Sequence, residues 1–155
     1  MPIVRGFDFP ADRWYLLEQD TWVKREADGL ATVGITTLGA YISGDFVEFI
    51  AKPVGTTIER DRSLGALEMS KVIRSARSPV SGTLVEVNAA VRADPALINA
   101  DPYGAGWLAR VQPVAWDADL ALLVAGEAVA PAVEAYMALL AESFGVDKPL
   151  DQGPM

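Results

Sequence analysis

The chain has 155 residues, 51% of them apolar, and a formal net charge of −8. That size and composition suit a single domain with a real core, and the acidic balance argues against nucleic acid or an anionic membrane as partner. It contains no cysteine and no histidine, so thiol nucleophiles, Ser-His-Asp relays, disulfides and zinc sites built on thiolate or imidazole are excluded.

The first hundred residues read mostly as short strands. Thr21-Trp22-Val23-Lys24 and Leu30-Ala31-Thr32-Val33-Gly34-Ile35 are rich in β-formers and flank the turn signal Ala27-Asp28-Gly29. A short helix is predicted over residues 37–42. Asp45-Phe46-Val47-Glu48-Phe49-Ile50 is a further strand, stopped by Lys52-Pro53-Val54-Gly55. Strand character continues at residues 56–59 and 64–69. It resumes at Thr83-Leu84-Val85-Glu86-Val87, after the turn Ser78-Pro79-Val80-Ser81-Gly82. A helical piece is expected within residues 88–99, where Asp94-Pro95 reads as an N-cap followed by proline. Trp107-Leu108-Ala109-Arg110-Val111 is a late strand. Short strands with Gly/Pro turns indicate a compact barrel or sandwich.

The C-terminal part changes period. Val133, Tyr136, Met137, Leu140 and Phe144 lie on one helical face, Pro131 and Glu134 suit the start, and Gly145 suits the cap. The expected organisation is a β domain with short helical insertions over residues 1–126, a packed helix over 127–145, and a flexible tail over 146–155. No run of eighteen apolar residues is present, so no membrane span is expected. The opening residues lack the order of a secretory signal, which makes the cytoplasm the expected location.

Charge is unevenly placed. Residues 52–77 hold six basic side chains (Lys52, Arg60, Arg62, Lys71, Arg74, Arg77) and three acidic ones (Glu59, Asp61, Glu68). A basic island thus sits in an acidic protein. Its plain reading is a solvated face; its functional reading is a docking patch, with Arg74 and Arg77 meeting an acidic partner surface.

Lys71 lies inside that island. A lone lysine near a turn usually does no more than solvate a surface. Its setting says more: Glu68-Met69-Ser70-Lys71 stands at a turn, and a second stretch runs to Ser78-Pro79-Val80-Ser81-Gly82. Glu68 is three residues before the lysine and Gly82 eleven after it. Upstream stands Ala31-Thr32-Val33-Gly34-Ile35-Thr36, and downstream Asn99-Ala100-Asp101-Pro102-Tyr103-Gly104-Ala105-Gly106-Trp107-Leu108.

Together these motifs resemble the lipoyl carriers, especially the H protein of the glycine cleavage system, from about Trp14 to Pro113. The resemblance implies a lipoyl-domain-like β barrel-sandwich hybrid, mainly β with small α elements and a C-terminal helix. It implies lipoate covalently attached as lipoyl-lysine at Lys71, with Glu68 and Gly82 read by the lipoate-attaching enzyme. A carrier of this kind is no enzyme itself. It is expected to be a monomer, and no metal site is assigned. Biotin carriers share the fold, but their lysine is flanked by methionines, whereas Ser70 and Val72 stand here.

Several positions depart from the glycine-cleavage pattern. The six residues after the lysine, in that pattern Ala-Ala-Ser-Asp-Leu-Tyr, are Val72-Ile73-Arg74-Ser75-Ala76-Arg77. The early Glu-His-Glu-Trp is Gln19-Asp20-Thr21-Trp22, and Ile50 stands where an acid is usual. On these grounds the chain looks closer to the lipoate-binding proteins of bacterial sulfur oxidation, whose partner is a heterodisulfide-reductase-like complex. The alternative is glycine cleavage, with glycine decarboxylase, aminomethyltransferase and dihydrolipoamide dehydrogenase as partners. A second alternative is an unmodified binding module on the same fold.

Overall fold

The computed structural model of the chain describes residues 3–143. A small hairpin opens it, β1 (Ile3–Val4) against β2 (Phe7–Asp8). Next come β3 (Trp14–Leu16), a 3-10 turn over Leu17–Gln19, β4 (Thr21–Arg25) and β5 (Ala31–Ile35). Helix α1 (Thr37–Ser43) leads to β6 (Phe46–Ala51) and β7 (Thr57–Ile58). Strands β8 (Ser63–Met69), β9 (Ile73–Arg77) and β10 (Gly82–Val87) follow. Helices α2 (Ala89–Ala93) and α3 (Ala96–Ala100) precede β11 (Ala109–Pro113). The described chain closes with α4 (Trp116–Leu120), a 3-10 turn over Gly126–Ala128 and α5 (Val129–Ser143).

Two antiparallel sheets form the body. One has six strands in the order β3-β4-β5-β11-β10-β7, and the other has three in the order β6-β8-β9. The β4–β5 hairpin turns at Asp28, whose side-chain oxygen accepts from the Leu30 amide at 3.0 Å, as the Asp-Gly signal predicts. All five residues of β5 are buried. Its near-continuous apolar run suits a strand covered on both faces. The main core includes Val33, Phe49, Leu64, Leu67, Leu84, Ile98 and Val111. The fold is therefore mainly β with small helices and a C-terminal helix, as the sequence implies.

The local rules explain most boundaries. Thr36 caps α1 by accepting the Gly39 amide at 3.0 Å. Asn88 caps α2 through the Ala90 amide at 3.0 Å. The single helical piece expected over residues 88–99 is split in two at Asp94-Pro95, because proline cannot donate the next backbone hydrogen bond. The late strand begins two residues after its expected start and runs on to Pro113.

Helix α5 lies on a second core. Val129, Val133 and Met137 are buried against Phe7, Phe9, Leu17 and Leu38, with Tyr136 packed at the edge. Those positions keep the helical spacing read from the sequence. Phe144, the Gly145 cap and the tail from residue 146 lie outside the described residues. No helix among the described residues is long and apolar enough to cross a membrane.

Candidate carrier hairpin

Strands β8 and β9 make a hairpin whose crest is Ser70-Lys71-Val72. The Met69 amide donates to the Val72 carbonyl at 2.9 Å, which closes the turn. Ser70 and Lys71 are exposed. Val72 and Ile73 are 57% and 64% exposed, so the crest stands clear of the body. The amine of Lys71 makes no ion pair among the described residues. A primary amine so placed can be acylated by an approaching enzyme, and its four-carbon stem extends any group attached to it.

Glu68 is on the outer face of β8. It stands opposite Ile73 on one side and Glu48 on the other. No base among the described residues pairs with either carboxylate. Gly82 is buried in β10, between β7 and β11. A Cβ there would collide with the Gln112 backbone carbonyl, so sheet packing alone already requires glycine.

The Ser-Pro-Val-Ser-Gly stretch anchors the far end of the hairpin. Buried Ser78 donates its hydroxyl to the Val80 carbonyl at 2.7 Å. Ser81 Oγ accepts the Arg60 amide at 2.8 Å, and the Ser81 amide donates to Asp119 Oδ2 at 2.8 Å. The Asn99–Leu108 signature is likewise a brace. Asn99 bonds Phe46 and Gly44 across the β6 entry at 3.1 and 2.8 Å. Tyr103 donates to the Asp8 carbonyl at 2.7 Å, and Trp22 donates to the Pro102 and Ile35 carbonyls. Tyr103 and Trp107 thus pack as core and turn residues.

The two arginines differ. Side chains alternate along β9, so Arg74 shares the inward face with buried Ala76. Its guanidinium donates to Asp20 Oδ2 at 3.0 Å, to the Gln19 carbonyl at 3.0 Å and to Ser43 Oγ at 3.4 Å. Arg77 remains more open, donating to the Asp61 carbonyl at 2.8 Å with the Asp61 carboxylate 3.9 Å away. Asp20 also accepts the Tyr136 hydroxyl, at 2.7 Å. Burial pushes the Asp20 carboxyl above its ordinary range, against the opposing pull of Arg74 and Tyr136. Neither Asp20 nor Tyr136 stands in a motif that marks it as a site residue. The signal in the sequence is that Asp20 and Arg74 both depart from the family pattern.

The site is thus an exposed lysine at the crest of a hairpin that is braced at its base. The comparisons specify the class. The model of the glycine cleavage H-protein family matches residues 14–135. The chain is 40% identical over 117 residues to glycine cleavage system H protein 5 of Aquifex aeolicus, covering 73% of this chain and 78% of that protein. It is 37% identical over 135 residues to the glycine cleavage system H protein of Mycobacterium avium, covering 87% and 98%. A crystal structure of a glycine cleavage system H protein from Mycobacterium marinum superposes with a TM-score of 0.67. That match is at 35% identity over 89% of this chain and all of that one. The chain belongs to the glycine cleavage H-protein family. Proteins of this family are carriers rather than enzymes, and bear lipoate covalently on a lysine.

Proposed function

We propose that Lys71 is the lipoyl attachment site and that the chain works as the H protein of a glycine cleavage system. The observation that carries this reading is the crest itself: an exposed lysine on a closed turn, three residues after Glu68 and without an ion pair among the described residues. The residues fit the group. Lys71 is exposed at the crest, and no thiol in the chain can attack a disulfide brought beside it. A bound lipoyl group supplies a strained disulfide that exchanges with thiols and accepts groups or electrons.

The chain's own residues then do three things. Lys71 Nζ forms the amide and loses its charge. The paired β8–β9 backbone holds the crest off the body. Glu68, with no basic partner among the described residues, offers a carboxylate to the lipoate-attaching enzyme. Gly82 fits the same recognition only indirectly, through the strand packing that it permits.

The partners under this reading are glycine decarboxylase, aminomethyltransferase and dihydrolipoamide dehydrogenase. Names of the relatives favour it over the sulfur-oxidation reading. A physical reason points the same way. Two of the departures that suggested another partner, Asp20 and Arg74, bond to each other inside the chain. They therefore speak first to how the hairpin is held, and only second to what meets it.

Intact mass of protein made in lipoylation-competent cells tests the site. Wild type should gain one lipoyl group and Lys71→Arg none; an unmodified wild type would return the chain to a plain binding module. Pathway needs mixing: the lipoylated protein should support glycine decarboxylation with the other glycine-cleavage components. Failure there, with turnover by a heterodisulfide-reductase-like complex instead, would restore the sulfur reading.

A further inference from the structure

Asp20 and Arg74, separated by 54 residues in the chain, are both departures from the family pattern, and they meet at 3.0 Å. Tyr136, on the C-terminal helix, closes on the other carboxylate oxygen at 2.7 Å. Three remote pieces therefore converge on one side chain: the 3-10 turn before β4, the hairpin strand β9, and α5.

Asp20 is a fixed post. It sits in the left-handed region at φ 63°, with its amide bonded to the Leu17 carbonyl and its carbonyl accepting the Thr36 amide. The side chain is 4% exposed, and α1 packs so closely that a Cβ on Gly39 would touch it. Arg74, by contrast, is on a strand paired on one side only, to β8. It is the last inward anchor on β9 before the crest, since Val72 and Ile73 are exposed. The direction in which the crest points is thus fixed on the β9 side through one guanidinium.

We propose that Asp20, Arg74 and Tyr136 form a latch that sets the attitude of the Lys71 hairpin and couples it to α5, with Asp20 and Tyr136 as positioning residues acting through Arg74. The proposal rests on the reading of Lys71 as the lipoyl site. A buried ion pair contributes little net stability after desolvation; its best-attested use is to select one arrangement among several. Burial raises the Asp20 carboxyl even with a base and a hydroxyl bound to it. That fits a contact kept for orientation. The latch also neutralises Arg74, which leaves Arg77 as the more available base for docking.

Tyr136→Phe deletes one hydroxyl and keeps the ring that packs on the second core. In the full-length apo protein, amide hydrogen exchange at residues 70–73 should quicken by about threefold or more, with little change in the thermal midpoint. Lipoate attachment by a lipoate-attaching enzyme should show a raised KM of similar factor and an unchanged kcat. Arg74→Gln should reproduce both effects, and the double variant should add nothing beyond either. Unchanged crest exchange in both single variants overturns the latch. Faster exchange with unaltered attachment kinetics also overturns it, because the contact would then be structural alone. The exchange measurement needs no lipoate. Failure of Lys71 as the attachment site would appear separately, as wild type that takes up no lipoyl mass, and exchange alone would then decide the coupling.

Discussion

Strand β5, in the middle of the six-stranded sheet, has all five residues buried, whereas β9, at the edge of the three-stranded sheet, has only Ala76 buried. The larger sheet shares the core with α2, α3 and the braces from the Asn99–Leu108 signature. The smaller one offers a face and an edge. In one, sequence is constrained by packing on both sides. In the other, alternate residues are left for whatever approaches. The difference teaches where function should be separable from stability: substitutions at the crest should silence the carrier without unfolding it, and substitutions in the larger sheet should do the reverse.

The largest expected effect falls on the crest. Lys71→Arg should abolish lipoyl mass and all carrier activity while leaving the denaturant midpoint where it was, checked by urea titration beside mass spectrometry. A marked loss of stability would break the comparison. On the other side, Trp22→Ala removes a fully buried ring packed over Gly34 and bonded to two carbonyls. It should cost about 3–5 kcal/mol in the same titration.

Gly82→Ala sharpens the boundary between the two sheets. Forcing a methyl against the Gln112 carbonyl should cost about 1–3 kcal/mol. If lipoate attachment to the still-folded variant proceeds at the wild-type rate, the glycine serves packing and not recognition.

A smaller, pH-dependent effect is expected at Asp20. Its native carboxyl holds a proton at pH values where the unfolded chain, near 3.8, has already lost it. The stability from this group is therefore fully present below the unfolded value and declines as pH rises through the native one. Asp20→Asn should lack that decline, so the wild type should lose ground against it as pH is raised across that window. Equal slopes in paired urea titrations would show that burial does not dominate. The smallest effect belongs to Arg77, whose side chain is 40% exposed. Arg77→Gln should change stability by less than about 1 kcal/mol. If Arg77 meets an acidic partner, the variant should flatten the salt dependence of transfer to that partner; identical salt curves would return it to solvated surface.

Much of this division is legible in the residues. The Asp-Gly turn, the short helix over residues 37–42 and the period of α5 are local signals, and each appears where its chemistry places it. The turn between β8 and β9 is legible through the spacing around Lys71. Other features depend on contacts far along the chain. Strand β3 carries no strong turn or alternation signal; it exists because it pairs with β4 and bridges to Val124. Helix α4 is five residues long, too short for a periodic pattern, and is tied to the hairpin base through Asp119. Arg74 reads as a surface base in sequence, since its partners Asp20 and Ser43 lie 54 and 31 residues away. Only the register of β8 with β9, with its bulge between Ser63 and Gly65, decides which way that side chain turns.

The free edge of β9 has one further consequence, for behaviour in solution. An uncovered strand edge is a template on which another copy can pair, and proteins guard such edges with charges, including charges turned inward. β9 carries Arg74 inward and Arg77 at its end, around the single buried Ala76. A second β9 laid against it would bring the two Arg77 side chains to the seam, while Arg74 stays bonded to Asp20 in each copy. The charge left for docking is thus also of the kind that disfavours pairing of a strand edge with a second copy.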